Sequence, residues 1–330
     1  MTRTAVVLFN LGGPDRPEAV EPFLYNLFFD PAIIGAPLPI RWLIAKLVSR
    51  RRAPVAQAIY ASIGGRSPLL AETRAQAAAL EAALGPDHKV FIAMRYWHPF
   101  AGEAAAAAKE WGAERVILLP LYPQFSTTTT ASSYRDWKRA AAAAGLDVPT
   151  EAVCCYPDQP GLIAALADLV TRGCAGLARP RVLFSAHGLP QRVVDRGDPY
   201  PGQVRQTAAA VAAAAGLADW TVCYQSRVGP LKWIGPALED ELARAAADRV
   251  PVVVVPVAFV SEHSETLVEL DIEYRHRADA MGVPGYVRVP AIGCHPDFIA
   301  GLADLVAAPG RTRGTACRIC GRSCAAEEGA

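Results

Sequence analysis

The sequence has almost no excess of either charge. Lys+Arg number 33 and Asp+Glu 32, for a formal charge of +1. A chain so balanced lacks the basic surface that grips a phosphate backbone, and no nucleic-acid partner is expected. Charge of any sign is scarce, at 20% against 52% hydrophobic residues, which excludes a disordered chain. Long apolar runs are missing too. None reaches the roughly 18 residues of a spanning helix, and the apolar residues before Asn10 are too few for a signal-peptide core, so a cytoplasmic protein is expected. With no export signal, the 8 cysteines point to thiols or metal ligands rather than a disulfide framework.

What is present is a recurring pattern. Apolar, β-branched runs read "TAVVLFN", "KVFIAMRY", "RVILLPLYP" and "TEAVCCY", then "RVLFSAH", "WTVCYQS", "VPVVVVPVAF" and "GYVRVPAI". Between them lie alanine-rich stretches such as "AGEAAAAAKEWG" and "QTAAAVAAAAG", whose alanines favour helix and whose glycines end it. Strands alternating with helices predict an α/β protein with parallel sheets covered on both faces. Four runs followed by four more predict two similar doubly wound halves, joined near residues 157–180. Length admits this, since 330 residues suffice for two ordinary domains.

In such sheets ligands bind beyond the carboxyl ends of the strands. The loops there read "NLGGPD", "RYWHP", "YPQFSTTTT", "SAHGLP", "YQSRVGP" and "SEHSE". "NLGGPD" lacks the G-x-G-x-x-G spacing of a dinucleotide loop, so no nucleotide is expected; its glycines make a turn or admit a close backbone approach. His187 ends a strongly apolar strand, a good position for an imidazole that exchanges protons near neutral pH. His263 leaves another strand of the same half. It is followed by Glu265, Glu269 and Glu273 and preceded by Glu262, spaced three, four and four apart, which on a helix makes one carboxylate stripe. Helix-start electrostatics, with Ser261 as the cap, accounts for the first of these but not for Glu269 and Glu273. Near the C-terminus, Cys317, Cys320 and Cys324 form C-x2-C-x3-C, a spacing that gathers three thiolates round one metal centre, either zinc or a [2Fe-2S] cluster.

Taken together, "LFNLGGPD", "RYWHPF", "LYPQFSTTTTASSY", "LFSAHGLP", "RGDPYP", "YQSRVGPLKWIGP" and "FVSEHSETLVELDIEY" resemble the ferrochelatases, the terminal enzymes of haem synthesis, over about residues 4–306. The resemblance implies two Rossmann-like domains of chelatase type, each a four-stranded parallel sheet flanked by helices, with a porphyrin cleft between them. The first would span 1–160, the second 161–306, and a C-terminal extension 307–330. It implies insertion of Fe2+, a substrate, into protoporphyrin IX, with His187 and Glu265 as the essential pair. Glu262, His263 and Glu269 would lie with them on a path for protons or metal ions.

Around the macrocycle the resemblance places Asn10, Leu11, Arg95, Tyr96, Tyr122, Trp233 and Phe259, with Arg51, Arg52 and Ser67 near the porphyrin carboxylates. The apolar stretch "FLYNLFFDPAIIGAPLPIRWLIAKLV" resembles the family's cleft lip, which implies peripheral membrane contact. Cys317, Cys320 and Cys324 resemble the cluster motif of some members, and a homodimer goes with such an extension. The fourth thiolate of those members has no match, because Thr127 and Ser133 stand there; Cys154 or Cys155 is expected instead. Two alternatives stay open: a chelatase for coproporphyrin or another tetrapyrrole, and a haem or iron carrier without turnover.

Overall fold

A computed structural model describes residues 2–227 and 231–309. The chain forms two compact units. One takes the residues through Tyr122, Ser126–Cys154 and 306–309; the other takes Pro123–Phe125 and Cys155–Leu305. The stretch 157–180, expected to join the halves, holds helix Pro160–Cys174, which buries Leu162, Leu166 and Val170 at helical spacing.

The sheet of the first unit contains β1 (Thr4–Asn10), β2 (His88–Met94), β3 (Arg115–Pro120) and β4 (Thr150–Ala152), in the order β2-β1-β3-β4. The second unit repeats the plan with β5 (Arg181–His187), β6 (Trp220–Gln225), β7 (Val252–Pro256) and β8 (Tyr286–Arg288), in the order β6-β5-β7-β8. Every pairing is parallel. Each of the eight apolar runs falls on one of these strands, β2 starting one residue before its run, at His88. All of β1 and β7 is buried, as is β5 through Ala186. Strands covered on both faces have no solvent side, so they read as unbroken apolar runs rather than as alternation.

The alanine-rich stretches are helices, Ala101–Trp111 and part of Tyr200–Ala214. Ala104, Ala105 and Ala108 are buried with Phe9, Phe91 and Val116 in one core cluster. Gly112, at φ 78°, ends the first of these helices in the left-handed conformation that glycine adopts without strain. Gly12 in "NLGGPD" also has positive φ, 86°, and a Cβ there would lie 2.9 Å from the Trp97 backbone nitrogen. The loop after β1 is therefore a tight turn packed on its own unit.

One buried carboxylate ties the loops of the first unit together. Asp30 follows helix Val20–Phe29, and its Oδ2 accepts from Tyr96 Oη at 2.8 Å and Ser132 Oγ at 2.5 Å and meets Arg95 Nη2 at 2.8 Å. Burial alone would raise its pKa, but Ser132, Arg95, the Ala32 amide and Tyr96 outweigh it and hold the carboxyl below its ordinary 3.8. A depressed carboxylate stabilises the fold above its unfolded pKa and loses that contribution as pH falls through the folded value. Asp30→Asn should therefore cost about 3 kcal/mol at neutral pH, the low end for breaking a buried pair, because Arg95 keeps only the more distant Asp136 carboxylate at 3.7 Å. The difference should shrink in acid below pH 3.8; chemical denaturation at both pH values measures it, and a neutral-pH loss below about 1 kcal/mol, the worth of an exposed pair, contradicts it.

Candidate active site

In the second unit three strand ends converge. β5 delivers His187, while β6, paired with it so that Gln225 lies opposite His187, delivers Gln225 and Ser226. Beyond β7 the chain runs through Phe259 and His263 into a π-helix, Glu265–Tyr274, continued by the α-helix Arg275–Met281. Such i→i+5 turns are rare, and they occur frequently at functional sites.

Glu265 lies between two imidazoles. Its Oε1 is 3.7 Å from His187 Nε2 and its Oε2 is 3.7 Å from His263 Nε2, ion-pair range without a direct hydrogen bond. The opposite ring nitrogens fix the tautomers. His187 Nδ1 lies 2.6 Å from the Gly188 carbonyl and His263 Nδ1 lies 3.1 Å from the Ser261 carbonyl, so each Nδ1 carries hydrogen and donates to that carbonyl, and Nε2 is the ring nitrogen that faces Glu265. The Phe259 ring packs on His263 with centroids 4.7 Å apart. Burial would raise the Glu265 pKa, yet its charge coupling to His187 and His263, together with the nearby Ser226 hydroxyl, lowers it to about 2.

Glu269 has the opposite bias. Its Oε1 accepts from the Ser226 amide at 2.7 Å, and its Oε2 from the Ser226 hydroxyl at 2.5 Å and Gln225 Nε2 at 3.2 Å. Burial and then repulsion from Glu265 raise its pKa despite those donors. Ser226 sits at φ 60°, a left-handed conformation uncommon outside glycine, and its amide and hydroxyl both donate to this one carboxylate. Gln225 is fully buried; it also donates to the Glu265 carbonyl at 3.0 Å and accepts from Ser185 Oγ at 2.7 Å. Neither Gln225 nor Ser226 stands out as a residue type. The one signal that could have found them was their position in the loop after β6, "YQSRVGP".

The expected single carboxylate stripe does not form. Glu262 turns to Arg288 and accepts from the Ala291 amide at 2.9 Å. Glu273 is exposed and pairs with Arg277 at 4.0 Å. Only Glu265 and Glu269 share the site. Ser261 is not the helix cap either: the helix starts at Glu265, and its entry is held by Thr266, whose hydroxyl accepts from the His263 amide and donates to the His263 carbonyl, both at 3.0 Å.

The other expected residues fall into two groups. Leu11, Tyr122, Trp233 and Phe259 are partly exposed, and Arg51 and Arg52 are exposed on helix Leu38–Ala61. Asn10, Ser67, Arg95 and Tyr96 have their polar atoms engaged within the first unit. Asn10 donates to Thr73 Oγ1 at 2.9 Å and accepts from the Leu11 amide at 2.8 Å; Ser67 lies against Gly13, where a Cβ would come within 2.5 Å of its Oγ; Arg95 and Tyr96 hold Asp30. Cys154 is buried, and Cys155 Sγ accepts from Gln203 Nε2 at 3.3 Å. Cys317, Cys320 and Cys324 lie outside the described residues. Among the described residues no group of three or more His, Cys, Asp or Glu is arranged to hold a metal ion, and no helix is long and apolar enough to cross a membrane.

The fold agrees with that of known proteins. The fold is similar to SirB from Bacillus subtilis with Fe3+, at 12% identity and TM-score 0.58 over 98% of this chain and 100% of that one. It is also similar to the sirohydrochlorin chelatase SirB from B. subtilis subspecies spizizenii in complex with cobalt, at 12% identity and TM-score 0.55 over 97% and 99%. At such identity these likenesses speak for the fold. Sequence goes further. The ferrochelatase of Caulobacter vibrioides is 53% identical over 98% of this chain and 96% of its own length, and that of Phenylobacterium zucineum is 56% identical over 92% and 90%. The family model Ferrochelatase matches residues 3–309. The chain belongs to the ferrochelatase family.

Proposed function

We propose that this protein inserts Fe2+ into protoporphyrin IX to form protohaem, with His187 as proton acceptor and Glu265 as the charge that stabilises the protonated imidazole. The observation that carries this reading is one carboxylate placed 3.7 Å from the Nε2 atoms of two imidazoles. Insertion requires two pyrrole N–H protons to leave. His187 Nε2 takes a proton, and the positive charge that develops on the ring meets Glu265 at 3.7 Å. With its pKa lowered to about 2, Glu265 stays ionised at neutral pH and serves as a charge rather than a proton store. Glu269, raised by burial and by its neighbour, is the carboxylate suited to hold a proton on its way out. Two carboxyl groups pushed apart in pKa divide the work of stabilising charge and carrying protons.

For the macrocycle, the reading assigns Leu11, Tyr122, Trp233 and Phe259 to the ring faces, where aromatic and apolar surface suits a flat ligand. Arg51 and Arg52 suit its carboxylates, because an exposed guanidinium can donate two parallel bonds. Asn10, Ser67, Arg95 and Tyr96 shape the loops that carry these groups. A membrane surface is the proposed neighbour of helix Leu38–Ala61, which exposes Leu38, Ile40, Trp42, Leu43 and Leu47 beside Lys46, Arg50 and Arg51. For the tail, the C-x2-C-x3-C spacing supports a [2Fe-2S] cluster on Cys317, Cys320 and Cys324, with Cys154 or Cys155 as the fourth thiolate.

In an anaerobic assay with Fe2+, protoporphyrin IX should turn over faster than coproporphyrin III; the reverse order selects the alternative substrate, and no turnover with either leaves a carrier. In that assay His187→Ala should lose activity at least about 100-fold, the low end for a proton-transfer group, while retaining porphyrin binding. Glu265→Gln should lower kcat rather than raise KM. Unchanged turnover removes either residue from the scheme. The purified full chain should show the visible bands of a [2Fe-2S] centre; colourless protein holding stoichiometric zinc decides against the cluster. Leu47→Glu should weaken sedimentation with anionic phospholipid vesicles, and equal sedimentation of the variant removes the membrane contact.

A further inference from the structure

We infer that Arg288 is a positioning residue for metal insertion, clamping the π-helix so that Glu265 is held between His187 and His263; this rests on the activity proposed above. A π-helix is uncommon and seldom longer than one turn, so ten residues of it, Glu265–Tyr274, call for support from outside the segment. One side is held by Gln225 and Ser226, already described. The other side is held from β8.

The Arg288 side chain is 9% exposed, and its guanidinium engages two carboxylates at once. Nε donates to Asp271 Oδ1 at 2.9 Å and Nη2 donates to Asp271 Oδ2, a two-point fork that fixes orientation as well as distance. Nη1 donates to Glu262 Oε1. Asp271 lies inside the π-helix and Glu262 three residues before its start, so one side chain ties down both flanks of the stretch that carries Glu265 and Glu269. Tyr286, on the same face of β8 at strand spacing, adds a second tie, its hydroxyl donating to the Leu270 carbonyl at 2.7 Å. Arg275 closes the contact, donating to the Tyr286 carbonyl at 2.8 Å and the Asp271 carbonyl at 3.2 Å. β8 pairs with β7, which pairs with β5, so the clamp is anchored to the sheet that presents His187.

This assigns Glu262 to the clamp, through the oxygen bound by Arg288 and the Ala291 amide. A stability role alone would require only that the buried charges cancel. A positioning role requires the fork itself, because a lysine carries the charge on a single point and cannot engage both Asp271 oxygens and Glu262 in one plane. Misplacement by about 1 Å can cost about 100-fold in rate without changing ground-state binding.

The test compares wild type, Arg288→Lys, Asp271→Asn and Tyr286→Phe for porphyrin insertion of Fe2+, with porphyrin affinity from fluorescence quenching and folded fraction from circular dichroism. Arg288→Lys and Asp271→Asn should each lower kcat per folded molecule about tenfold, with KM for porphyrin within twofold and affinity unchanged; Tyr286→Phe should give a smaller loss of the same kind. The ring-carbon NMR shifts of His187 and His263 should move in the first two variants. A wild type that does not turn over removes the activity reading, whereas the histidine shifts still judge the clamp. Wild-type kcat and unmoved histidine shifts in Arg288→Lys overturn it, as does a loss confined to KM or fully accounted for by the unfolded fraction.

Discussion

The site in the second unit depends on one carboxylate held 3.7 Å from each of two imidazole nitrogens. A glutamate so placed stabilises either ring as Nε2 takes up a proton, and Nε2 is the nitrogen that faces it because Nδ1 of each ring is bound to a backbone carbonyl, at Gly188 and Ser261. Backbone geometry thus fixes the tautomers, the tautomers fix the acceptor atoms, and the acceptor atoms fix where a proton can land. That order of causes runs back to the sheet. β5 ends at His187, β6 ends opposite it at Gln225, and β7 leads into the π-helix.

Charge is divided unevenly within this small volume. Glu265 faces two rings that favour its ionised form, whereas Glu269 faces Glu265 and is enclosed by Gln225 and Ser226. Like charges placed side by side are normally a cost. Here the repulsion falls on the member with hydrogen-bond donors already around it, so one carboxylate stays charged and its neighbour can take up protons. Ser226, at φ 60°, belongs to the same arrangement, with both its amide and its hydroxyl donating to Glu269.

Much of this was legible in the sequence. Eight apolar runs gave eight strands in two sheets of the same order, because parallel strands buried on both faces leave an unmistakable composition. His187, His263, Glu265 and Glu269 stood at strand ends and do come together. The rest was hidden where partners are distant in sequence or the backbone departs from the common menu. Spacings of three and four suggested one α-helical stripe, but a π-helix and an arginine 26 residues away send Glu262 elsewhere. Nothing local to Arg95 and Tyr96, which the resemblance places near the macrocycle, showed that both also bind Asp30, more than 60 residues earlier. Gln225 was invisible because a buried glutamine is marked only by what surrounds it.

The division between Glu265 and Glu269 is tested most directly by infrared titration of the carboxyl groups in the whole protein, with Glu265→Gln and Glu269→Gln used to assign the bands. As pH falls, the protonated-carboxyl band that is lost in Glu269→Gln should appear first, and the band lost in Glu265→Gln should appear only as pH approaches about 2. Protonation of Glu265 at or above the pH at which Glu269 protonates would contradict the account.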